Sequence, residues 1–156
     1  MSRKISVGMK RFNYLNGELN MVYHTVAFRL GVSDSTMQIL YTICNFGESC
    51  LLSDICRLTG ARKQTVNSAL RKLEKEGVLY LTPENGKSKR VVLTGRGKEL
   101  AERTAVRLIA AENAVFDAWS KKDVENYLAL TERYLKDIRR QIDAPEFVGK
   151  TEYEKE

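Results

Sequence analysis

A chain of 156 residues that is 43% hydrophobic and 29% charged, with only two prolines, can bury a real core as one functional unit and is not composed like a disordered tract. Lys and Arg total 26 against 20 for Asp and Glu, a formal net charge of +6, which favours a polyanionic partner. The three cysteines, Cys44, Cys50 and Cys56, follow a short basic lead, "MSRKISVGMK". An odd number behind no apolar leader argues against a secreted disulfide framework and for a reducing cytoplasm, and no apolar run is long enough to span a bilayer, so no membrane partner is expected.

Phe12, Leu15, Leu19, Val22, Val26 and Leu30 recur at steps of three and four, which predicts a helix with one apolar seam, ended by Gly31. Ser33 offers an N-cap for "STMQILYTICNF", a helix apolar around most of its circumference that runs towards Gly47. A short helix from Ser53, read as its cap, to Thr59 stops at Gly60. In "ARKQTVNSALRKLEKEG", from Ala61 to Gly77, the residues Val66, Ala69, Leu70 and Leu73 form the inner stripe of a further helix. Its other faces carry Arg62, Lys63, Gln64, Thr65, Asn67, Ser68, Arg71, Lys72 and Lys75, with acids only at Glu74 and Glu76. Bases early and acids late oppose the helix macrodipole, so something other than helix stability accounts for the order.

The period then changes. "VLYLT" and "RVVLT" flank "PENG", and the Asn85-Gly86 pair marks a β-hairpin. Lys87, Ser88, Lys89 and Arg90 make its tip basic, with no acid among them. Beyond Thr94 the helical period returns through Ala101, Thr104, Leu108, Ala111, Val115 and Ala118 up to Trp119. Ser120 with Asp123 resembles a capping box for a last helix bearing Val124, Leu128, Leu135, Ile138 and Ile142, which stops before Pro145 and leaves a frayed tail.

Three short helices followed by a hairpin give a mainly α fold with a small β-hairpin, in the order of a winged helix-turn-helix. A helix of about 10–12 Å diameter fits a B-DNA major groove roughly 12 Å wide. Gln64 and Asn67 suit adenine edges, Arg62 and Arg71 can fork onto guanine or phosphate, and Thr65 and Ser68 can bond either. Lys63 and Lys72 add positive charge, and Lys87, Ser88, Lys89 and Arg90 can reach a minor groove or backbone. A solvated basic helix is the competing reading of the single segment; its neighbours favour DNA.

Enzymatic motifs are missing. "TGRGKEL" lacks phosphate-loop spacing, and a single histidine, His24, leaves little scope for a nucleophile and base pair, so no catalytic residue is assigned. His24 and the cysteines lack metal-ligand spacing, so neither a metal nor a cofactor is expected. Cys44 and Cys56 read as buried packing, with Cys50 in a loop the exception. Tyr23, His24, Tyr41 and Trp119 are candidates for lining a ligand cavity, although core packing explains them equally well.

The segments "FRLGVSDSTMQILYTICNFGE", "ICRLTGARKQTVNSALRKLEKEGVLYL" and "KSKRVVLTGRGKEL" together resemble the MarR family of bacterial transcriptional regulators. The resemblance implies a cytoplasmic homodimer that binds double-stranded DNA at a pseudo-palindromic operator, acts as a repressor, and responds to a small aromatic or acidic effector. It also implies a domain order: residues 1–30 as an N-terminal dimerisation helix, 31–98 as the winged helix-turn-helix with a wing at about 78–93, 99–143 as C-terminal dimerisation helices, and 144–156 as a flexible tail. Two departures stand out. The wing positions that carry an acid and arginines in many relatives read Asn85, Gly86 and Lys87 here, with Lys89 or Arg90 as substitutes, and Arg62 occupies the place of a small cap. Two other functions remain open: a winged-helix module that binds an acidic protein, and a thiol redox-sensing regulator using Cys44, Cys50 or Cys56.

Overall fold

In the computed structural model, the structure describes residues 5–148 except 62 and 87, and leaves out the side chains of 146 and 148. Eight helices and three strands follow in the order α1 (Val7–Arg29), α2 (Asp34–Asn45), β1 (Ser49–Leu51), α3 (Leu52–Thr59), α4 (Lys63–Lys75), β2 (Leu79–Pro83), β3 (Lys89–Leu93), α5 (Gly95–Glu102), α6 (Ala105–Ala118), α7 (Lys121–Ile142) and α8 (Pro145–Val148) among the described residues. The chain divides into two compact units, Met1–Ala111 and Glu112–Glu156.

The core of the first unit is built by the stripes the sequence displays. Ile39, Leu40 and Ile43 of α2, Ile55 of α3, and Val66, Leu70 and Leu73 of α4 are buried together with Val78, Leu79, Val91 and Leu93 of the hairpin. Burying side chains of this size contributes about 1.5–3 kcal/mol each, which fixes the rotation of each helix about its axis. Ser33 caps α2 as expected, its hydroxyl accepting from the Thr36 N–H at 3.2 Å. The cap of α3 differs from expectation: Leu51 precedes the helix with no side-chain cap bond, and Ser53 lies inside the first turn. The backbone of α3 is entered directly from a strand, so β1 rather than a polar side chain sets its start.

That strand was not visible in the sequence, which reads as a loop around Cys50. β1 pairs antiparallel with β3, Cys50 opposite Val91, and β3 also pairs with β2, Leu81 opposite Val91, giving the order β1-β3-β2. The hairpin loop is longer than a two-residue Asn-Gly turn. The Glu84 N–H donates to the Ser88 carbonyl at 2.9 Å and Ser88 N–H to the Asn85 carbonyl at 3.2 Å, with Gly86 at φ +61, a conformation that costs a glycine little.

The end of α4 is a Schellman motif. Gly77 N–H donates to Glu74 and Val78 N–H to Leu73, Gly77 takes φ +67, and buried Val78 packs in the core with Leu73, the apolar contact that accompanies such ends. Thr94 then fastens this corner to the next helix. Its hydroxyl donates to the carbonyls of Gly77 at 2.6 Å and Val78 at 3.1 Å and accepts the Gly97 N–H at 3.0 Å as the N-cap of α5. Gly97 packs so closely here that a Cβ on it would lie 1.9 Å from the Val78 carbonyl oxygen.

The single helix expected from Thr94 to Trp119 is broken. α5 ends at Glu102 and α6 begins at Ala105, with Thr104 fully buried and its hydroxyl donating to the Leu100 carbonyl at 2.6 Å. Side-chain bonding to a carbonyl four residues back offers the backbone an alternative to an unbroken helical ladder. Ala101 and Ala105 are buried and Leu108 packs against the same core, so the first unit continues past residue 98 into the start of α6.

In the second unit, Ser120 caps α7, accepting from the Asp123 N–H at 3.1 Å while its hydroxyl donates to the Asp123 carboxylate at 2.6 Å. Phe116 stacks on Trp119 and Tyr127 meets both rings edge-on, with centroids 5.5–6.1 Å apart. The segment read as a frayed tail begins with the helical turn of α8, and residues 149–156 lie outside the described residues.

Candidate nucleic-acid interface

Helix α4 presents two chemically opposite sides. Val66, Leu70 and Leu73 are buried and Ala69 half-buried, whereas Lys63, Gln64, Thr65, Ser68, Arg71 and Lys72 are exposed and Asn67 is half-buried. The division follows the 3.6-residue period: anchoring the apolar stripe against α2 and α3 leaves the amide, hydroxyl and basic groups no direction but outward. Gln64, Thr65, Ser68, Ala69 and Lys72 line an open depression of about 500 Å³ together with Ser35. Ser35 is a residue that sequence reasoning missed. Its signal was present in "VSDSTM", where the cap of α2 brings a second hydroxyl beside the face of α4.

The basic side chains on this face are weakly neutralised. Lys72 stands 3.9 Å from Glu76, both exposed, and such a pair at one-turn spacing contributes only about 0.3–0.5 kcal/mol. Arg62 and Lys87, assigned to the helix and the wing from sequence, lie outside the described residues.

On the wing, Ser88 and Lys89 are exposed, but Arg90 is half-buried and occupied. Its Nε and Nη2 donate to the two carboxylate oxygens of Glu84, each at 2.8 Å, and Nη1 donates to the Ser49 hydroxyl at 3.3 Å. This fork holds the Glu84 carboxyl below the usual carboxylate range and raises the guanidinium further. The four residues from Lys87 to Arg90 contain no acid, yet the loop places one from three residues earlier directly on Arg90.

The residues considered for a ligand cavity are distributed differently. Tyr23 and His24 are exposed on α1, and Tyr41 is half-buried against the core. The His24 Nδ1 is 2.6 Å from the Asp34 carboxylate, linking α1 to the first turn of α2. Trp119 belongs to the aromatic trio of the second unit. Cys50 lies in β1 and is buried, not looped out; burial, and then the nearby Asp54 carboxylate, push its thiol up to about 11. Burial also raises the Cys44 thiol. Thiols held protonated are poor nucleophiles, which weighs against oxidation sensing at these two positions. Among the described residues no three His, Cys, Asp or Glu side chains are grouped to hold a metal ion, and no helix is long and apolar enough to cross a membrane.

A three-helix core whose last helix turns a polar face outward, followed at once by a two-stranded wing paired with a short strand ahead of the helix-turn-helix, defines a winged helix-turn-helix protein. Residues 30–90 match the model of the MarR family. Over this segment the chain is similar to that family, and its fold is a winged helix-turn-helix. No curated protein matches the sequence. Among solved structures, the fold is similar to a MarR family transcriptional regulator from Silicibacter pomeroyi, at 19% identity and a TM-score of 0.66 over 87% of this chain and 97% of that one. It is also similar to MepR of S. aureus in complex with DNA, at 18% identity and a TM-score of 0.62 over 86% and 99% of the two chains. A third similar structure is BpsR of Bordetella bronchiseptica, whose DNA binding is regulated by 6-hydroxynicotinic acid, at 15% identity and a TM-score of 0.58 over 80% and 98%. Identities at this level speak to the fold.

Proposed function

We propose that this protein is a sequence-specific double-stranded DNA-binding transcriptional regulator, a homodimeric repressor of a pseudo-palindromic operator released by a small aromatic or acidic effector. The observation that carries the reading is the outward face of α4. Gln64, Thr65, Ser68, Arg71 and Lys72 are exposed on a helix whose opposite stripe is locked in the core, so the face is presented rigidly, as reading base edges requires. Asn67, Lys63 and Arg62 extend that face in the proposal, and Lys87, Ser88 and Lys89 supply backbone contacts from the wing. MepR, a similar fold, has been captured on DNA, and the regulation of BpsR by 6-hydroxynicotinic acid is the precedent for an aromatic acid as effector.

Dimerisation is supported by unburied apolar seams. Phe12, Leu15, Leu19 and Val22 of α1 are 36–57% exposed, and in α7 Leu128, Leu135 and Ile142 are 44–46% exposed. Apolar residues repeating along one helix seam are not scattered surface leucines, and a second copy is the partner that two-fold reading of DNA calls for.

Titrating random duplex by fluorescence anisotropy across a salt series tests the reading. Neutralising about six to eight phosphates per dimer gives a slope of log affinity against log salt of about −5 to −7. No binding at low salt would instead favour a module for an acidic protein partner.

A further inference from the structure

We infer that Arg90 is a positioning residue that braces the wing against the helix-turn-helix, and not a side chain that reaches DNA. The inference rests on the proposed reading of the hairpin as a DNA-contacting wing. Arg90 lies in the central strand, opposite Leu51 of β1 on one side and Thr82 of β2 on the other. Alternation along β3 buries Val91 and Leu93 and turns Arg90 and Val92 to the other face of the sheet. On that face the guanidinium reaches from β3 to the start of β1 and to the end of the hairpin loop next to β2. Two bonds run to Glu84, the first residue beyond β2, and one to Ser49 at the start of β1.

Each contact has a structural consequence. Glu84 opens the hairpin loop, so gripping its carboxylate fixes where the tip departs from the sheet. Ser49 is three residues ahead of Leu52, where α3 begins, so its bond ties the wing to the strand that leads into the helix-turn-helix. Among the described residues, the loop is otherwise held by the Glu84 and Ser88 N–H groups. To bind a phosphate, the guanidinium would first have to give up a bidentate carboxylate, an exchange of one charge-assisted fork for another with little net gain. Lys89, exposed on the same strand, is the better backbone contact.

The closing experiment compares Glu84→Gln, Arg90→Gln, their combination and Lys89→Gln in the full chain. Random-duplex affinity across a salt series is measured alongside amide hydrogen exchange of residues 84–90 without DNA. A brace predicts that Glu84→Gln and Arg90→Gln each speed exchange of the loop and weaken DNA binding by similar factors. The double variant should be no worse than either single one, and the salt slope should be unchanged. Lys89→Gln should leave exchange alone and make the slope shallower by about one, the signature of a lost phosphate contact. The brace is overturned if loop exchange is unchanged in both variants, if removing the Glu84 charge tightens binding, or if Arg90→Gln itself reduces the slope by about one. Should the wild-type chain bind no DNA at any salt, the functional reading fails, while the exchange data still decide whether Arg90 orders the wing.

Discussion

Replacing Gly97 by alanine perturbs the corner where α4, the wing and α5 meet. The added Cβ would sit 1.9 Å from the Val78 carbonyl oxygen and 3.3 Å from a methyl of Leu93. Leu93 can give slightly, but the carbonyl belongs to the backbone and is held in place, accepting from the Thr94 N–H and hydroxyl, each at 3.1 Å. Separating Cβ from oxygen to an ordinary contact loosens both bonds, at about 1 kcal/mol each, and adds an overpacking cost of about 1–3 kcal/mol. Alanine returns about 0.5–1 kcal/mol through helix propensity, leaving a net loss of roughly 2–4 kcal/mol, a large share of an ordinary domain's stability of about 5–15 kcal/mol. Gly95, in the same helix, has nothing within 4 Å of its would-be Cβ, so Gly95→Ala should be neutral or stabilising by up to about 1 kcal/mol. Urea unfolding at one fixed protein concentration measures both, since association makes stability concentration-dependent. Equal midpoints for Gly97→Ala and the wild type would refute the packing argument.

The helix and wing substitutions should separate by sequence dependence. Gln64→Ala or Arg71→Ala should cost about 1–3 kcal/mol on the preferred operator and little on random duplex, whereas Lys89→Ala should weaken both alike; equal losses for the helix variants would remove their base-reading role. Cys50 gives a pH dependence. With its thiol near 11 in the fold and about 8.5 when unfolded, the protonated group favours the folded state fully below about pH 8.5, and the contribution fades as pH rises towards 11. Cys50→Ala should therefore flatten the alkaline loss of stability seen in denaturant titrations between those pH values. Substituting Leu15 and Leu19 by glutamate should shift the sedimenting species from dimer to monomer without unfolding the winged helix, and an unchanged dimer would move the interface away from α1.

Much of the architecture is written in local periodicity. The seams of α1, α2, α4 and α7, the caps at Ser33 and Ser120 and the Gly77 terminus depend on residues within a turn or two of one another, and their patterns are visible before any fold is built. Non-local pairing is not. β1 is three residues long and acquires its identity only from β3, some forty positions away, while the break before Ala105 depends on Thr104 being buried under the core. The face of α4 was legible because its apolar stripe dictates what must point outward. The Glu84 partner of Arg90 was hidden for the converse reason: the neighbours of Arg90 in sequence are basic, and the acid that pairs with it arrives through the turn. Ser35 joins the depression from another helix, so no spacing within α4 could reveal it.

Selection of bound duplexes from a random pool tests the central claim most directly. The account predicts enrichment of a pseudo-palindrome whose half-sites are about one helical turn, roughly 34 Å, apart, with Gln64→Ala or Arg71→Ala blurring symmetric positions in both halves. A pool that remains random after repeated rounds at low salt, or a consensus without two-fold symmetry, would contradict it.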